Sequence, residues 1–565
     1  MKRRAFINSG LTSLCVLPML SFTSLENENP AWLIEWIKIH DKALPNFKSN
    51  KITHSSNKYV GGYFDGDEIP SPHSTAGFIA KASMLFACEE SDFYNSKDVL
   101  KDIEAASKAL LKFQHSDGTI DLLSTNFHST PDTAFVLENI IPSYKFLLKS
   151  KVKGSENAIE NLKSFIKNAG EALIVGGVHT PNHRWVVSAA LTKVNELFPD
   201  QRYLDRADQW LAEHIDIDPD GQFTEKSTNS YSPIVDRALI DMAIGLNKPE
   251  LYDAVRKNLA MSLFYIHPNG EVVTEASNRQ DRGSIDFMYK YYYCYRYMAL
   301  LDNSGEMAAA CRLIEKTCTP QQLAGYLTNF LENPALLKDL PASKALPTSY
   351  AKAFPYSGVV RIRRGVWDCT LLSENAAWLT FHNGNAVLQA MRISGSFFGK
   401  GQFQTEKIEQ IGDTWVLSKS LEGPYYQPHE KDKISPDGDL SKMPRSLRKK
   451  SEIQTLQTTV KVKEIYAGIE VEIEMSGTDN VPVSMELIFR AGGTFAGVNE
   501  YTKRENAYLF SGQKASYTVG KDVISFGPGR IEHKGVQLRG ALPAMEAPTV
   551  YLTGTTPFKH TLNLS

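Results

Sequence analysis

The sequence is short of the features that usually bring in cofactor chemistry. Its six cysteines, at 15, 88, 294, 311, 318 and 369, show no paired metal-ligand spacing. That excludes a zinc knot and a disulfide framework, and it leaves buried small hydrophobes as their reading. There is no P-loop, no glycine-rich dinucleotide fingerprint after a strand and no paired-histidine zinc helix. No cofactor and no metal is therefore expected, and no ligand cluster for calcium or zinc stands out. Charge of one sign is lacking too. The 62 basic and 64 acidic side chains give a net charge of -2, so no overall field draws the chain to nucleic acid or to a membrane surface. Past the N-terminus no run is long and apolar enough to cross a bilayer. Nor does a repeat of roughly 20 to 50 residues, or a low-complexity tract, stand out.

What is present is length and an ordinary globular composition. At 565 residues the chain exceeds one compact core and predicts two large domains, and 42% hydrophobic with 22% charged residues fits folded protein throughout. Residues 1–24 read as a signal peptide. Met1-Lys2-Arg3-Arg4 precede a short apolar run through Leu11, Leu14 and Val16 to Leu20, and the paired arginines admit a twin-arginine variant. Thr12-Ser13-Leu14 lacks the small residue expected before a lipidated Cys15. Export to the periplasm, or secretion, is the expectation.

From 25 to 340 the pattern is helical. Amphipathic runs cover 31–43, 75–90, 96–114, 132–149, 156–174, 183–197, 201–214, 233–246, 248–264, 286–302, 304–317 and 320–333. The breaks carry turn and cap residues, among them Ser116-Asp117-Gly118, Lys153-Gly154-Ser155, Pro199-Asp200 and Asp218-Pro219-Asp220-Gly221. About twelve helices in hairpin pairs predict an (α/α)6-type toroid. From 341 to 565 the segments alternate or are rich in β-branched and aromatic residues, as in Gly358–Arg363, Ala377–Phe381 and Ile469–Glu474. They predict an antiparallel β-sandwich of about a dozen strands, joined to the toroid by a linker from about Ala335 to Lys352. One stretch, Glu422 to Lys450, interrupts the sandwich with Tyr425, Tyr426, His429, Arg445, Arg448, Lys449 and Lys450. It reads either as a mobile solvated loop or as a lid on an anionic substrate.

The chemistry concentrates in Thr180-Pro181-Asn182-His183-Arg184-Trp185 and, about forty residues on, in Asp220-Gly221-Gln222-Phe223-Thr224-Glu225 and Ser230-Tyr231. Removing the proton beside a sugar carboxylate requires that the carboxylate first be neutralised, then a base, then an acid for the departing oxygen. Amide, imidazole and guanidinium groups serve the first task, and imidazole and phenol the others. Asn182 and His183 follow Pro181 at an apparent helix start, where free backbone donors favour an anion. Tyr231 is the candidate acid or base, and Glu225 orients a partner. A second polar string, Ser124-Thr125-Asn126-Phe127-His128-Ser129-Thr130-Pro131-Asp132-Thr133, places His128 before a helix, and a third runs Ser277-Asn278-Arg279-Gln280-Asp281-Arg282. Tyr289, Tyr291, Tyr292, Tyr293, Tyr295 and Tyr297 crowd one helix; some must face the core and others are placed to stack on sugars.

An Asn-His pair at a helix start, an aspartate-glycine turn, a glutamate and a tyrosine some fifty residues downstream resemble the heparinase II/III-type and alginate-lyase-type toroid-plus-sandwich lyases. In that family the Asn and His handle the carboxylate and the tyrosine transfers protons, which assigns Asn182, His183 and Tyr231. The family also uses a histidine from the sandwich, matched by His382 in Phe381-His382-Asn383-Gly384-Asn385. The His128, Asn182–Trp185 and Ser277–Arg282 strings resemble a branch found in ulvan degradation, with oligosaccharide dehydratases and exo-acting β-glucuronidases. The resemblance implies an anionic uronate oligosaccharide as partner, bound by His128, Arg184, Trp185, Glu225, Arg279, Gln280 and Arg282. The three arginines imply a pocket closed around a terminal uronate.

Elimination, by a carbon-oxygen lyase or dehydratase that leaves a 4,5-unsaturated uronic acid, is the first reading. Hydrolysis by an exo-β-glucuronidase is the alternative; it needs two carboxylic acids roughly 5 to 9.5 Å apart, with Asp132, Glu213, Glu225 and Asp281 as candidates. A third reading is a secreted protein that only grips glycans.

Overall fold

The computed structural model describes residues 29–565; the signal-peptide expectation lies outside the described residues. Thirteen α-helices occupy Ala31 to Glu332 among those residues. They pair as inner and outer partners. The inner helices Pro72–Ala87, Thr130–Ser150, Pro181–Leu197, Tyr231–Gly245 and Tyr292–Leu301, named below by their first residue, pack side by side in that order. The outer helices include Lys97–Phe113, Glu156–Val175, Gln201–Leu211, Tyr252–Ser262 and Gly305–Thr317. Ala31–Lys48 packs on the Pro72 helix and on Pro320–Ala324, and Trp36 meets Tyr292 edge-on at 6.3 Å between ring centroids, which closes the ring.

The sequence dictates which helix lies inside. Lys97–Phe113 buries only a stripe of Val99, Leu100, Ile103, Ala106, Leu110 and Phe113, as a surface helix does. The Thr130 helix is buried on nearly every side, from Thr130 and Ala134 through Ile140 and Ile141 to Leu147. The expected helix 320–333 is two short helices, Pro320–Ala324 and Leu327–Glu332, separated at Gly325. The crowded tyrosines form no sugar platform, because Tyr291, Tyr292, Tyr293 and Tyr295 are buried in the core and Tyr289 and Tyr297 pack against it.

The way the chain enters the inner helices recurs. It leaves the outer layer through a left-handed glycine, Gly61, Gly118, Gly221 or Gly270, with φ of 93°, 85°, 106° and 91°. A Cβ on Gly118 would lie 2.1 Å from the Asn168 carbonyl oxygen, and one on Gly221 would lie 2.6 Å from that of Lys257. Before the first two inner helices a short hairpin follows, and a serine then caps the helix: Ser71 accepts from the Ser74 amide and Ser129 from that of Asp132. Thr75 Oγ1 receives the Tyr63 amide at 3.0 Å and donates to the Ser71 carbonyl at 2.7 Å. Thr133 does the same with Ile120 and Ser129, at 3.0 and 2.7 Å. Ser71-Pro72-His73-Ser74-Thr75-Ala76 and Ser129-Thr130-Pro131-Asp132-Thr133-Ala134 are thus one short motif used twice, a likeness outside the span of roughly 20 to 50 residues in which no repeat was expected. The repeat is carried by a handful of cap and lock residues 58 positions apart, without any longer sequence likeness.

The strands after Ser349 form a ten-stranded and an eight-stranded sheet, antiparallel except where Ala507–Leu509 runs parallel to Thr549–Thr555. Short edge strands raise the count above the dozen expected. Leu456, Val460, Val462, Ile469, Val471 and Ile473 from the second sheet meet Leu379, Phe381, Met391, Met485 and Leu487 from the first in the sandwich core. The stretch between Glu422 and Lys450 caps a long two-stranded arm, Thr414–Tyr426 against Lys450–Ile465, and folds into three 3-10 turns. Its side-chain ion pairs, Lys433 with Glu430, Lys442 with Asp437 and Lys450 with Glu422, close within the arm, and among the described residues none ties it to the toroid.

Cys88, Cys294, Cys311, Cys318 and Cys369 are free and buried, as expected of small core residues. No described helix is long and apolar enough to cross a membrane.

Gly118→Ala is expected to lower stability by about 2 kcal/mol or more, since the added methyl forces both a strained left-handed alanine and a clash with backbone. Urea unfolding monitored by circular dichroism measures it.

Candidate active site

Because the inner helices run parallel, their first turns gather at one mouth of the toroid. The Pro72 helix brings His73, the Thr130 helix Asp132, the Pro181 helix Asn182 and His183, and the Tyr231 helix its first residue. The loop before the last inner helix adds Arg279 and Gln280.

His73 Nε2 lies 3.6 Å from Asp132 Oδ1, while Asn126 Nδ2 donates to the other carboxylate oxygen at 2.9 Å and Ser129 donates to it as well. Burial works to raise the Asp132 carboxyl, but these hydrogen bonds prevail and hold it below the usual range. His183 is buried, and Nδ1 finds no partner. Burial, with His179 and Arg279 adding to it and Asp132 opposing, pushes its imidazole down to about 4, so it is neutral near pH 7. Phe135, one turn along from Asp132, meets the His183 ring edge-on at 6.0 Å.

Asn182 differs from its expected use. Its amide nitrogen lies 2.8 Å from both Glu225 oxygens, and Oδ1 is buried without a partner. The carboxylate fixes the amide with its acceptor free, so the N–H2 that would hold a substrate carboxylate is already engaged. Glu225 thereby orients the Asn182 amide.

The Tyr231 backbone amide donates to Ser227 Oγ at 3.0 Å, its hydroxyl is 3.5 Å from Gln280 Oε1, and the Arg279 guanidinium sits 5.2 Å from its ring centroid. Arg279 forms no ion pair among the described residues and Nε is buried without a partner. Arg282 is exposed beside it. Asp281 is not a free acid: it takes Ser227 Oγ and the Asn229 amide at 3.1 and 2.9 Å and Ser277 Oγ on its other oxygen, stitching the Tyr231 loop to the arginine loop.

Four expected residues lie elsewhere. Trp185 is fully buried and donates its indole N–H to Asp216 at 2.8 Å, so it stacks on no sugar. Arg184 is spent on Glu213 and Asp216, at 3.0 and 2.9 Å, which also removes Glu213 as a candidate acid. Helical geometry explains both, since 184 and 185 are turned about 100° and 200° away from His183. His128 is turned onto Asp117, 2.6 Å away, and stacks on His115 at 3.8 Å.

His382 belongs to a second cluster where the sandwich meets the toroid. It stacks on His267 with centroids 3.7 Å apart, its Nδ1 has no partner, and burial beside His267 pushes it down to about 3. His267 binds Asp368 through Nδ1 at 2.9 Å and faces Glu275 through Nε2 at 3.4 Å; although burial works against charge, the two carboxylates raise it to about 9. Glu275 receives Thr370 and Thr380 hydroxyls at 2.7 and 2.8 Å. Sequence reading named no metal ligand, yet ligand atoms of His267, Glu275 and His382 lie within 4.8 Å of one another. Two imidazoles and a carboxylate suit a zinc-sized ion, which would take the place of the proton on His267. A cavity of about 530 Å3, lined by Trp32, Trp36, Tyr292, Arg296 and Arg312, shares no residue with the mouth.

No protein-family model matches the sequence, and no curated protein matches it. Solved structures do. Paenibacillus xanthan lyase superposes with a TM-score of 0.57 over 94% of this chain at 8% identity, and this chain spans 57% of that one. The chondroitin AC lyase of Streptomyces coelicolor A3, in complex with chondroitin sulphate, gives 0.53 over 94% at 12% identity and 79% of that chain. Heparinase III gives 0.51 over 96% at 11% identity and 84% of that chain. This chain has their fold. A helical toroid followed by an antiparallel sandwich is common to all, and at these identities the likeness stops at architecture.

Zinc added to chelator-treated protein is expected to raise the melting temperature by several degrees, and His382→Ala to abolish that rise. An unchanged melting temperature would leave the cluster as a charge-balanced proton form.

Proposed function

We propose that this chain is a carbon-oxygen lyase acting on a uronic acid at the non-reducing end of an anionic oligosaccharide of ulvan type, with sulfated rhamnose next to it, and that it is exported. The observation that carries the reading is the Arg279 guanidinium, without an ion pair among the described residues, lying over Tyr231 at the mouth that also holds a neutral His183. Arg279 takes the substrate carboxylate, because Asn182 has committed its donor to Glu225 and His183 carries no charge at neutral pH. Neutral His183 removes the C5 proton, and the enediolate charge that develops rests on Arg279. The C4–O4 bond breaks as C4=C5 forms, and the Tyr231 hydroxyl donates its proton to the departing oxygen. A proton passed from His183 to Tyr231 restores both groups. The Asn182 Oδ1 acceptor is placed for a sugar hydroxyl, and Arg282 for a second anionic group. When the oxygen on C4 is a free hydroxyl, water leaves; when it carries the next sugar, the chain is cleaved. The polysaccharide lyases that share the fold support elimination as the class.

Hydrolysis keeps one specific observation in its favour. Of the four candidate acids, only Asp132 and Glu225 remain at the mouth, one on either side of the Asn182-His183 pair.

Incubation with uronate-ended oligosaccharides is expected to yield an ultraviolet-absorbing unsaturated product, with mass spectrometry distinguishing loss of one water from chain cleavage. Release of free saturated uronic acid would overturn elimination. Tyr231→Phe is expected to lower kcat by about 10²- to 10⁴-fold, and Arg279→Ala to raise KM as well. As a base, His183 must be unprotonated. The acid limb of kcat/KM is therefore expected near pH 4, where the imidazole titrates, rather than at the ordinary histidine value of about 6.5.

A further inference from the structure

We infer that Asp132, clamped by His73, Asn126 and Ser129, is the counter-charge for the imidazolium that forms on His183 when it takes the substrate proton. The inference rests on the elimination reading and adds a residue to it. Asp132 begins the helix that packs against the His183 helix, and Phe135 on the next turn already touches the His183 ring at 6.0 Å. A residue and its neighbour three positions on share one helix face, which sets the carboxylate above that contact and toward the imidazole. The carboxylate is buried and cannot swing freely, because Asn126 holds one oxygen at 2.9 Å and His73 stands 3.6 Å from the other. Among the described residues the charged and titratable groups whose fields reach His183 are His179, whose ring meets it edge-on at 4.7 Å, Arg279 on the arginine loop and Asp132. Glu225 faces Asn182 instead. Among the described residues Asp132 is thus the anion whose field favours charge on His183, set against a cation and a second imidazole.

The arrangement answers a difficulty in the reaction. A neutral buried imidazole is a good acceptor only if the charge it gains is tolerated, and Arg279 opposes that charge until the substrate carboxylate arrives. An anion fixed on the other side lowers the energy of the imidazolium as it forms and requires no reorganisation. Asp132 exchanges no proton and forms no bond; it is a positioning residue acting through His183.

Asp132→Asn tests this in two ways. On uronate-ended oligosaccharides kcat is expected to fall about 10- to 100-fold and the acid limb to move about one unit or more toward lower pH, because the amide no longer favours the protonated ring. Independently of turnover, the His183 proton titration followed by NMR, assigned with His183→Gln, is expected to move the same way. Asp132→Glu is expected to restore the limb while kcat stays low. If Asp132→Asn does not fold, His73→Asn serves, because His73 is partly exposed; a smaller fall in kcat with a smaller shift in the same direction is expected. An unmoved limb, or an NMR midpoint that moves while the limb does not, would overturn the role. Abolished release of saturated uronic acid, restored by azide, would make Asp132 a hydrolytic carboxylate and overturn it also. Absence of unsaturated product from the wild-type protein would instead defeat the elimination reading, which the NMR arm does not depend on.

Discussion

Arg361 and Asp368 are both withdrawn from water, and breaking one buried partner from the other costs about 3 to 5 kcal/mol. That constraint fixes how the sandwich meets the toroid. Arg361 also donates to the Phe264 carbonyl at 3.1 Å, and Arg363 to that of Ile266 at 3.1 Å, so two strand arginines grip the segment from which the arginine loop departs. Ser357 binds Asp220 and Asp218 across the same boundary, at 2.8 and 3.1 Å, which ties down the turn leading to Glu225. Both walls of the mouth are therefore registered against one sheet. The sandwich thereby bears on where Arg279 and Glu225 stand relative to the first turns of the inner helices.

The fold was legible because its elements are long and their periods distinct. Inner and outer helices differ in how much of the circumference is apolar, and the strands alternate, so class and order follow from pattern. The paired chain entry was harder to see. Ser71-Pro72-His73 and Ser129-Thr130-Pro131-Asp132 differ by one residue in the place of the proline, and the shared threonine means little until its hydroxyl is found closing a strand onto a cap.

Half of the site was legible for a local reason. Pro181 and the cap before it mark a helix start, and polar residues just inside such a start have few structural duties, which singles out Asn182 and His183. Arg184 and Trp185 share that stretch but turn away from His183, and a linear reading does not weigh direction around a helix. His73 escaped notice, and Asp132 stood out only as a candidate hydrolytic acid, because each is ordinary alone; their shared meaning lies in a contact between helices 59 residues apart in sequence. His267 and Glu275 come from the toroid and His382 from the sandwich, so no spacing rule joins them. The reversed amide of Asn182 lies beyond sequence altogether, since it depends on the carboxylate of Glu225 arriving beside it.

The serine caps and threonine locks carry one more consequence. They satisfy the backbone at the start of the Pro72 and Thr130 helices, so the side chains of His73, two positions before Thr75, and of Asp132, one before Thr133, are not needed for the backbone bonds of the cap. Reactivity and foldability are thereby assigned to different residues that stand almost side by side. A toroid built this way can acquire a new reaction by exchanging a few first-turn side chains, with the ring, the ring's neighbours and the folding route left as they were.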